Sequence, residues 1–267
     1  MSPDWHDGPI VMFDLETTGV DPHRDRIVTA AINTFVPRVG MDRQSWLVNP
    51  GIPIPEGASA IHGITTARAQ EDGTDAAAGV HEIAATLLDR MTRHGAPVVG
   101  HNVSYDLTML WCELLRHGDP LAERVRTIKP VIDTMVLDKW LDPYRPKEPT
   151  ARRPDPARCG SRTLIDTCRV YGVTLSRDDA HGADADATAA GQLAWRIAVR
   201  YPGAQGNANV LHDWQIEEKR HQAESFAKWL TKQGKPDDVA RDWPIQATPD
   251  GWDPSQLPAA REEAVSA

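Results

Sequence analysis

The chain has 267 residues, of which 29 are Lys or Arg and 38 are Asp or Glu, so its formal net charge is −9 at pH 7. Hydrophobic residues make up 40% and charged residues 25%, the balance of an ordinary globular protein. The length allows one sizeable domain with an appendage. The acidic charge argues against a protein that coats nucleic acid by bulk charge, but it permits an enzyme with a local basic groove.

Composition also excludes several other classes. No apolar run approaches the roughly 18–20 residues that a membrane span needs, so no membrane is expected as a partner. The N-terminal residues MSPDWHDG lack the basic and apolar regions of a secretory signal. The three cysteines show no CxxC spacing, which disfavours a disulfide scaffold and a zinc ribbon. We therefore expect a cytoplasmic protein in a reducing environment.

Three runs of apolar and β-branched residues predict the first elements, strands at 10–16, 26–35 and 43–48. The short spacings between them indicate an antiparallel meander. Apolar residues at helical spacing then predict a helix over about 74–93. Short apolar runs at 98–99 and 131–134 predict buried strands, with a helix between them that Ser104 can cap. This order predicts an α/β protein in which helices pack on a mixed sheet.

The segment at 141–160 differs from the rest because it holds five prolines and, with its flanks, an excess of basic residues. It predicts an exposed loop, either a solvated insertion or a flap that contacts phosphates. Helical patterns resume near 164–171 and 184–201. A Pro-Gly pair then predicts a boundary, with one domain at 1–203 and a C-terminal extension at 204–267. The extension is expected to hold an amphipathic helix at about 208–233, followed by a largely irregular tail.

Acidic residues at the ends of buried elements carry the chemistry of this sequence. Asp14 and Glu16 are two apart on a strand, so they point to the same face and repel one another. A hard divalent cation removes that repulsion by binding carboxylate oxygens. Asp106 begins a helix, and Asp184 and Asp186 open another. Each of these can be an ordinary acid of a helix first turn, but together they indicate a functional site.

The acids lie in motifs that resemble those of one enzyme family. The string Phe13-Asp14-Leu15-Glu16-Thr17-Thr18-Gly19 resembles the first motif of the DEDDh 3′–5′ exonucleases, the DnaQ-like group that includes polymerase proofreading subunits. The segment 101–107, His-Asn-Val-Ser-Tyr-Asp-Leu, resembles the second motif. His181-Gly182-Ala183, followed by Asp186-Ala187, resembles the third. Three motifs in order over roughly residues 8–200 are a specific match. Tyr105 departs from the phenylalanine that is more usual at its position.

The resemblance implies an RNase H-like fold, a mixed five-stranded sheet of three antiparallel strands and then two parallel ones, flanked by helices. It also implies two divalent ions, Mg²⁺ or Mn²⁺, clamping the attacking and leaving oxygens of a phosphodiester. The implied ligands are four carboxylates: Asp14, Glu16, Asp106 and Asp186. Asp184 competes with Asp186, and the spacing of the third motif favours Asp186. The implied general base is His181, which precedes the helix because five residues of helix would turn it away from Asp186.

The resulting hypothesis is a metal-dependent 3′–5′ exonuclease that releases nucleoside monophosphates from single-stranded or frayed 3′ ends, with DNA favoured over RNA. The 3′–5′ polarity rests on the resemblance alone. Candidates for substrate binding are Thr17, Thr18, His62 and Asn102, for which turn or cap hydrogen bonding is the alternative. A DNA polymerase or repair protein is a possible partner. The rival hypothesis is a non-catalytic module that binds nucleic acid or a polymerase.

Overall fold

The computed structural model describes residues 4–143, 160–176, 182–237 and 239–255. Its strands are β1 (Ile10–Thr17), β2 (Ile27–Val36), β3 (Gly40–Leu47), β4 (Val98–Gly100) and β5 (Val131–Asp133). Its helices are α1 (Glu56–His62), α2 (Thr66–Asp72), α3 (Ala76–His94), α4 (Val103–Arg116), α5 (Ala122–Arg126), α6 (Thr134–Leu141), α7 (Leu164–Tyr171), α8 (Ala183–Arg200) and α9 (Ala208–Lys232). Most of the predicted loop at 141–160, and the predicted base His181, lie outside the described residues.

The five strands form one mixed sheet in the order β3-β2-β1-β4-β5. Strand β2 pairs antiparallel with both β1 and β3, whereas β4 is parallel to both β1 and β5. The predicted fold class is therefore confirmed. Alternate side chains of β1 enter two cores, because Phe13 packs with residues of α3 and α4 while Met12 packs with residues of α8.

Small residues let α8 lie close against the central strand. A Cβ placed on Gly191 would overlap the buried side chain of Met12, so only glycine leaves room for Met12 in its present position. Ala187, Ala190 and Ala194 are also buried on this helix. The N-terminal turn of α8 therefore reaches the carboxyl end of β1.

The sequence patterns missed several short helices, and one predicted cap was wrong. Helices α1, α2, α5 and α6 have 5–8 residues, too short for a clear apolar period. Helix α4 begins at Val103, so Ser104 lies inside it rather than at its cap. The capping position belongs to Asn102, which has a left-handed φ of 61° and donates its N–H to Asp133 Oδ1 at 3.0 Å. That long-range bond fixes the start of the helix, and no local pattern reports it.

Helix α9 covers the outer edge of β5 with side-chain hydrogen bonds. The N–H of Val131 donates to His212 Nδ1 (3.1 Å), and the N–H of Asp133 donates to Gln215 Oε1 (2.8 Å). Gln215 Nε2 donates in turn to the Val131 carbonyl oxygen (3.1 Å). Because an uncovered edge strand would leave these backbone groups unpaired in a buried place, α9 completes the sheet.

The segment after α9 crosses the outside of α4. Trp243 Nε1 donates to Asp133 Oδ2 at 3.4 Å, and the N–H of Gln246 donates to Thr108 Oγ1 at 3.0 Å. Trp252 Nε1 reaches the carbonyl oxygen of His23 at 2.8 Å. The described part of 204–267 thus packs on the rest of the protein, while the division into two domains stays a prediction. None of the helices in the described ranges is long and apolar enough to cross a membrane.

The bond from Val131 to His212 predicts a pH dependence of stability. Burial lowers the pKa of His212 to about 4, with Lys129 acting in the same direction, so the folded protein holds a neutral imidazole. An unfolded histidine titrates near 6.5, so the unfolded chain binds more protons than the folded one between pH 6.5 and 4. We therefore expect the free energy of unfolding to decrease as the pH is lowered from 6.5 to 4. In chemical denaturation, His212→Asn, which keeps an acceptor, should flatten this decline; parallel curves would contradict the assignment.

Candidate metal and active site

The site is built at the carboxyl end of the central strand. Asp14 and Glu16 lie on one face of β1, opposite Ala31 and Thr29 of β2. The pairing with β2 shifts register between Glu16 and Thr17, which ends the regular ladder at the rim of the sheet. Both carboxylates are half-buried, whereas Leu15 between them is buried in the core. The strand therefore holds two acids side by side where the sheet opens.

The first turn of α8 adds a third acid to this pair. Oxygens of Asp14, Glu16 and Asp186 lie within 4.8 Å of one another. Asp184 turns to the other side of the helix, where its carboxylate contacts Arg43 Nη1 at 2.8 Å and accepts from Asn33 Nδ2 at 2.9 Å. Of the two candidate acids on this turn, it is Asp186 that the fold brings to the cluster.

Asp106 approaches the same place from α4. It lies in the first turn of that helix, is only 5% exposed, and its Oδ1 accepts the backbone N–H of Leu15 at 3.1 Å. It is therefore held against the backbone between Asp14 and Glu16. The four predicted carboxylates thus lie at one rim of the sheet. Oxygens of Asp14, Glu16 and Asp186 lie close together, and Asp106 binds the backbone of the strand that carries Asp14 and Glu16.

Three acids of this cluster have raised pKa values. Burial raises the pKa of Asp14 well above its usual value, and Asp106, Asp186 and Glu16 raise it further. Burial and the neighbouring Asp186 raise the pKa of Glu16 to about 8. Burial also raises the pKa of Asp106, against hydrogen bonds from its own N–H and that of Leu15. Without a cation, these carboxyl groups therefore hold their protons to a higher pH than ordinary acids do.

These residues fit a hard divalent cation. The donors are carboxylate oxygens, which Mg²⁺ and Mn²⁺ prefer, and three of them converge on a space of ionic size. A cation there would replace mutual repulsion by attraction and lower every raised pKa in the cluster.

A tyrosine fixes the loop that follows the acids. Thr17 Oγ1 donates to the Gly19 carbonyl oxygen at 2.7 Å, and the Tyr105 hydroxyl contacts both groups, at 2.7 Å and 2.6 Å. Burial raises the pKa of Tyr105, so its hydroxyl stays protonated. Sequence reasoning did not give Tyr105 a role, although the departure from phenylalanine was the sign: a buried hydroxyl needs a partner.

The predicted substrate-binding residues have different surroundings. Thr18 is buried, and its hydroxyl donates to Asp25 Oδ1 (3.1 Å) and accepts from the Arg26 N–H (3.0 Å). His62 is half-buried beside Thr17; burial lowers its pKa, against a backbone hydrogen bond at Thr17 that raises it. Thr17 and His62 thus meet at the rim, while the Thr18 hydroxyl is used within the loop. The role of each in substrate binding stays a prediction.

Asp133, a buried acid behind the cluster, was not assigned a role from the sequence. Asp133 ends β5, and its Oδ1 accepts the N–H groups of Asn102 (3.0 Å) and Met135 (2.9 Å). Its charge raises the pKa of Asp106. Asp133 therefore joins the start of α4, which carries Asp106, to the edge strand and to the Trp243 indole. Its place at the end of a short apolar strand was the available sign.

The fold and the acidic rim together define an exonuclease domain of RNase H-like architecture. The RNase_T family, described as exonuclease, matches residues 11–194, so the chain belongs to this exonuclease family. The resemblance to DnaQ-like exonucleases seen in the motifs is thereby confirmed.

Known proteins of similar sequence are named as DNA polymerase III proteins. PolC-type DNA polymerase III of Lacticaseibacillus paracasei is 29% identical over 187 residues, which cover 70% of this chain and 11% of that protein. A DNA polymerase III subunit epsilon-like protein of Rhodobacter capsulatus is 37% identical over 132 residues, covering 48% of this chain and 17% of that protein. The chain thus spans less than a fifth of the length of either relative.

A solved structure shares the fold. Exonuclease I of E. coli, in complex with a dT13 oligonucleotide, superposes with a TM-score of 0.57 and 22% sequence identity. The match covers 73% of this chain and 42% of that one. At this identity the likeness shows a common architecture.

The raised pKa values predict that removing one charge stabilises the metal-free fold. A carboxyl group whose pKa is raised by folding weakens the folded state as pH rises from its unfolded pKa, near 4, towards its folded pKa. Asp14→Asn should therefore raise the melting temperature in EDTA at pH 7–8, by about 2–4 °C for each kcal/mol of repulsion relieved. The gain should shrink near pH 4.

Added Mg²⁺ provides the control for this prediction. It should raise the melting temperature of the wild type through binding to the folded state, and much less that of Asp14→Asn. A variant that melts below the wild type in EDTA would show that the Asp14 carboxylate is not a source of repulsion.

Proposed function

We propose that this protein is a metal-dependent 3′–5′ exonuclease that removes nucleoside monophosphates from single-stranded or frayed 3′ ends of DNA. The observation that carries the proposal is the convergence of Asp14, Glu16 and Asp186 within 4.8 Å, with Asp106 held beside them. Such a cluster has no stabilising purpose of its own, since burial and mutual repulsion raise the pKa values of its members. Membership of the exonuclease family supports the same conclusion.

In this proposal the four carboxylates hold two divalent cations, Mg²⁺ or Mn²⁺, against the scissile phosphate. When bound, such ions supply the positive charge that activates the attacking water and stabilises the leaving 3′ oxygen. Asp14 would serve both ions; Asp106, Asp186 and Glu16 are all near enough to raise its pKa. Glu16 and Asp186 complete one site, and Asp106 serves the other.

The remaining residues of the site position the substrate and move the proton. Thr17, whose hydroxyl is fixed by Gly19 and Tyr105, stands next to Glu16 at the place where a terminal nucleotide would enter. His62, which is near Thr17, and Asn102 are the other proposed contacts to the substrate. His181, which lies outside the described residues, is the proposed general base that takes the proton from the attacking water.

The preference for DNA draws on the similar proteins, whereas the 3′–5′ direction rests on the resemblance of the motifs to DEDDh exonucleases. Two of them are named as DNA polymerase III proteins, and another was solved with a DNA oligonucleotide. The polymerase names support a DNA polymerase as the partner, and a repair protein is the alternative. A proofreading role and a repair role make the same demand on this site, namely an unpaired 3′ end.

Hydrolysis of matched DNA and RNA oligonucleotides tests the function. With Mg²⁺ or Mn²⁺, a 5′-labelled DNA strand should shorten one nucleotide at a time, faster than the RNA of the same sequence, and EDTA should stop the reaction. Asp186→Asn should lower the rate by at least about a hundredfold, because even outer-shell groups of metal sites are worth that much.

Asp184→Asn is the matched control, because it removes the same charge two residues away on the same helical turn. Asp184 pairs with Arg43 at the surface, so its loss should cost little. Equal loss of activity in both variants would contradict the assignment of Asp186. Intact oligonucleotides in every reaction, with tight binding of the strand, would favour the non-catalytic module instead.

The general base has a separate test in the pH dependence of the rate. A histidine with an ordinary pKa near 6.5 must be neutral to accept a proton, so the wild-type rate should rise as the pH passes this value. His181→Ala should lower the rate by roughly 10²–10⁴-fold and remove that rise. A variant with an unchanged pH profile would assign the proton transfer to another group.

A further inference from the structure

Two exposed aromatic rings on α9 form a surface that the exonuclease family match, which ends at residue 194, does not include. Phe226 and Trp229 are 51% and 50% exposed, and their rings are stacked, with centroids 5.7 Å apart and planes inclined by only 11°. We refer to this pair as the aromatic step. Two large rings held parallel in solvent offer a flat apolar face, which is the kind of surface on which nucleic acid bases stack.

The course of α9 places the aromatic step beyond the edge of the sheet that holds the carboxylates. The helix runs parallel to β5, since His212 and then Gln215 meet successive backbone groups of that strand. One turn before the step, Gln222 Nε2 donates to the Val136 carbonyl oxygen (3.1 Å) in the first turn of α6. By helical rise, Phe226 lies about 6 Å and Trp229 about 10 Å past Gln222 along the axis. Both rings share the side of α9 that carries Gln222.

The surroundings of the step are basic although the chain is acidic. From 219 to 235 the sequence holds five basic residues and one acidic residue. Within the described ranges, Lys219, Lys228 and Lys232 take part in no ion pair. Lys139 of α6 is near enough to Lys219 for that charge to lower its pKa, after burial, while the charge of Asp133 raises it. Unpaired positive charge therefore leads from the aromatic step towards the end of β5.

We propose that the aromatic step and its lysines bind the single-stranded nucleic acid a few nucleotides upstream of the 3′ end that enters the carboxylate site. This inference rests on the proposed function and adds a second contact to it. β1 is two strands away from β5, roughly 10 Å, so a strand with its end at Asp14 spans the sheet edge to reach α9. A base stacks on the exposed rings, and the lysines contact the backbone phosphates.

Substrate length separates this contact from the carboxylate site. In Phe226→Ala/Trp229→Ala, the KM for a 20-nucleotide oligothymidylate should rise roughly 5–150-fold, since base stacking on an aromatic ring is worth roughly 1–3 kcal/mol. Hydrolysis of a dinucleotide, which occupies the carboxylate site alone, should not change. Anisotropy of the labelled 20-mer in EDTA should show the same loss of affinity, and the melting temperature should stay that of the wild type because both rings are exposed.

Trp195→Ala is the control, since Trp195 is also a partly exposed ring (42%) but lies on α8, roughly 13 Å along the helix from Asp186. An unchanged KM for the 20-mer, or an equal rise in Trp195→Ala, would overturn the inference while leaving the exonuclease proposal intact. Failure of the wild type to cleave either oligonucleotide would overturn both. A wild-type dimer that becomes monomeric in the double variant, seen by light scattering, would assign the rings to a second copy of the chain.

Discussion

The structure depends on holding together carboxylates that repel one another. Asp14 and Glu16 are adjacent because a strand requires it, whereas Asp106 and Asp186 come from helices far along the chain. Burial raises the pKa of Asp14, and its acidic neighbours raise it further, so the cluster itself opposes folding. The rest of the domain must supply the free energy that keeps these groups in place, and most of it comes from apolar packing elsewhere.

Two contacts transmit that packing to the site. The absence of a side chain at Gly191 lets α8 pack against Met12. This packing places Asp186, in the first turn of α8, at the end of β1. On the other side, the N–H of Leu15 binds the Asp106 carboxylate directly. Because both contacts fasten on β1, the central strand of the sheet, a shift of either helix would move a carboxylate relative to Asp14. Rigid packing of the core therefore fixes the positions of the carboxylates relative to one another.

The sheet and the acidic cluster could be predicted from the sequence because both produce local patterns of residues. Alternation along 10–16 places Asp14 and Glu16 on one face, and the motif spacing distinguishes Asp186 from Asp184. What it did not show are contacts that cross the chain. The Tyr105 hydroxyl binds Gly19, and Asp133 binds the N–H of Asn102. Neither partner is near in sequence, so no period or motif spacing reports these bonds.

Helix α9 is also held by contacts between residues far apart in sequence, and it lies beyond the residues that the family match covers. The match to the family ends at residue 194, yet the backbone of β5 is satisfied by His212 and Gln215, which lie beyond that limit. The sheet edge therefore needs the extension, and Trp243 ties it to Asp133 behind the carboxylates. A segment fixed so firmly to the catalytic edge can present side chains to the substrate at little entropic cost. In the proposals made above, the family motifs carry out the reaction, and the extension adds a second contact to the substrate.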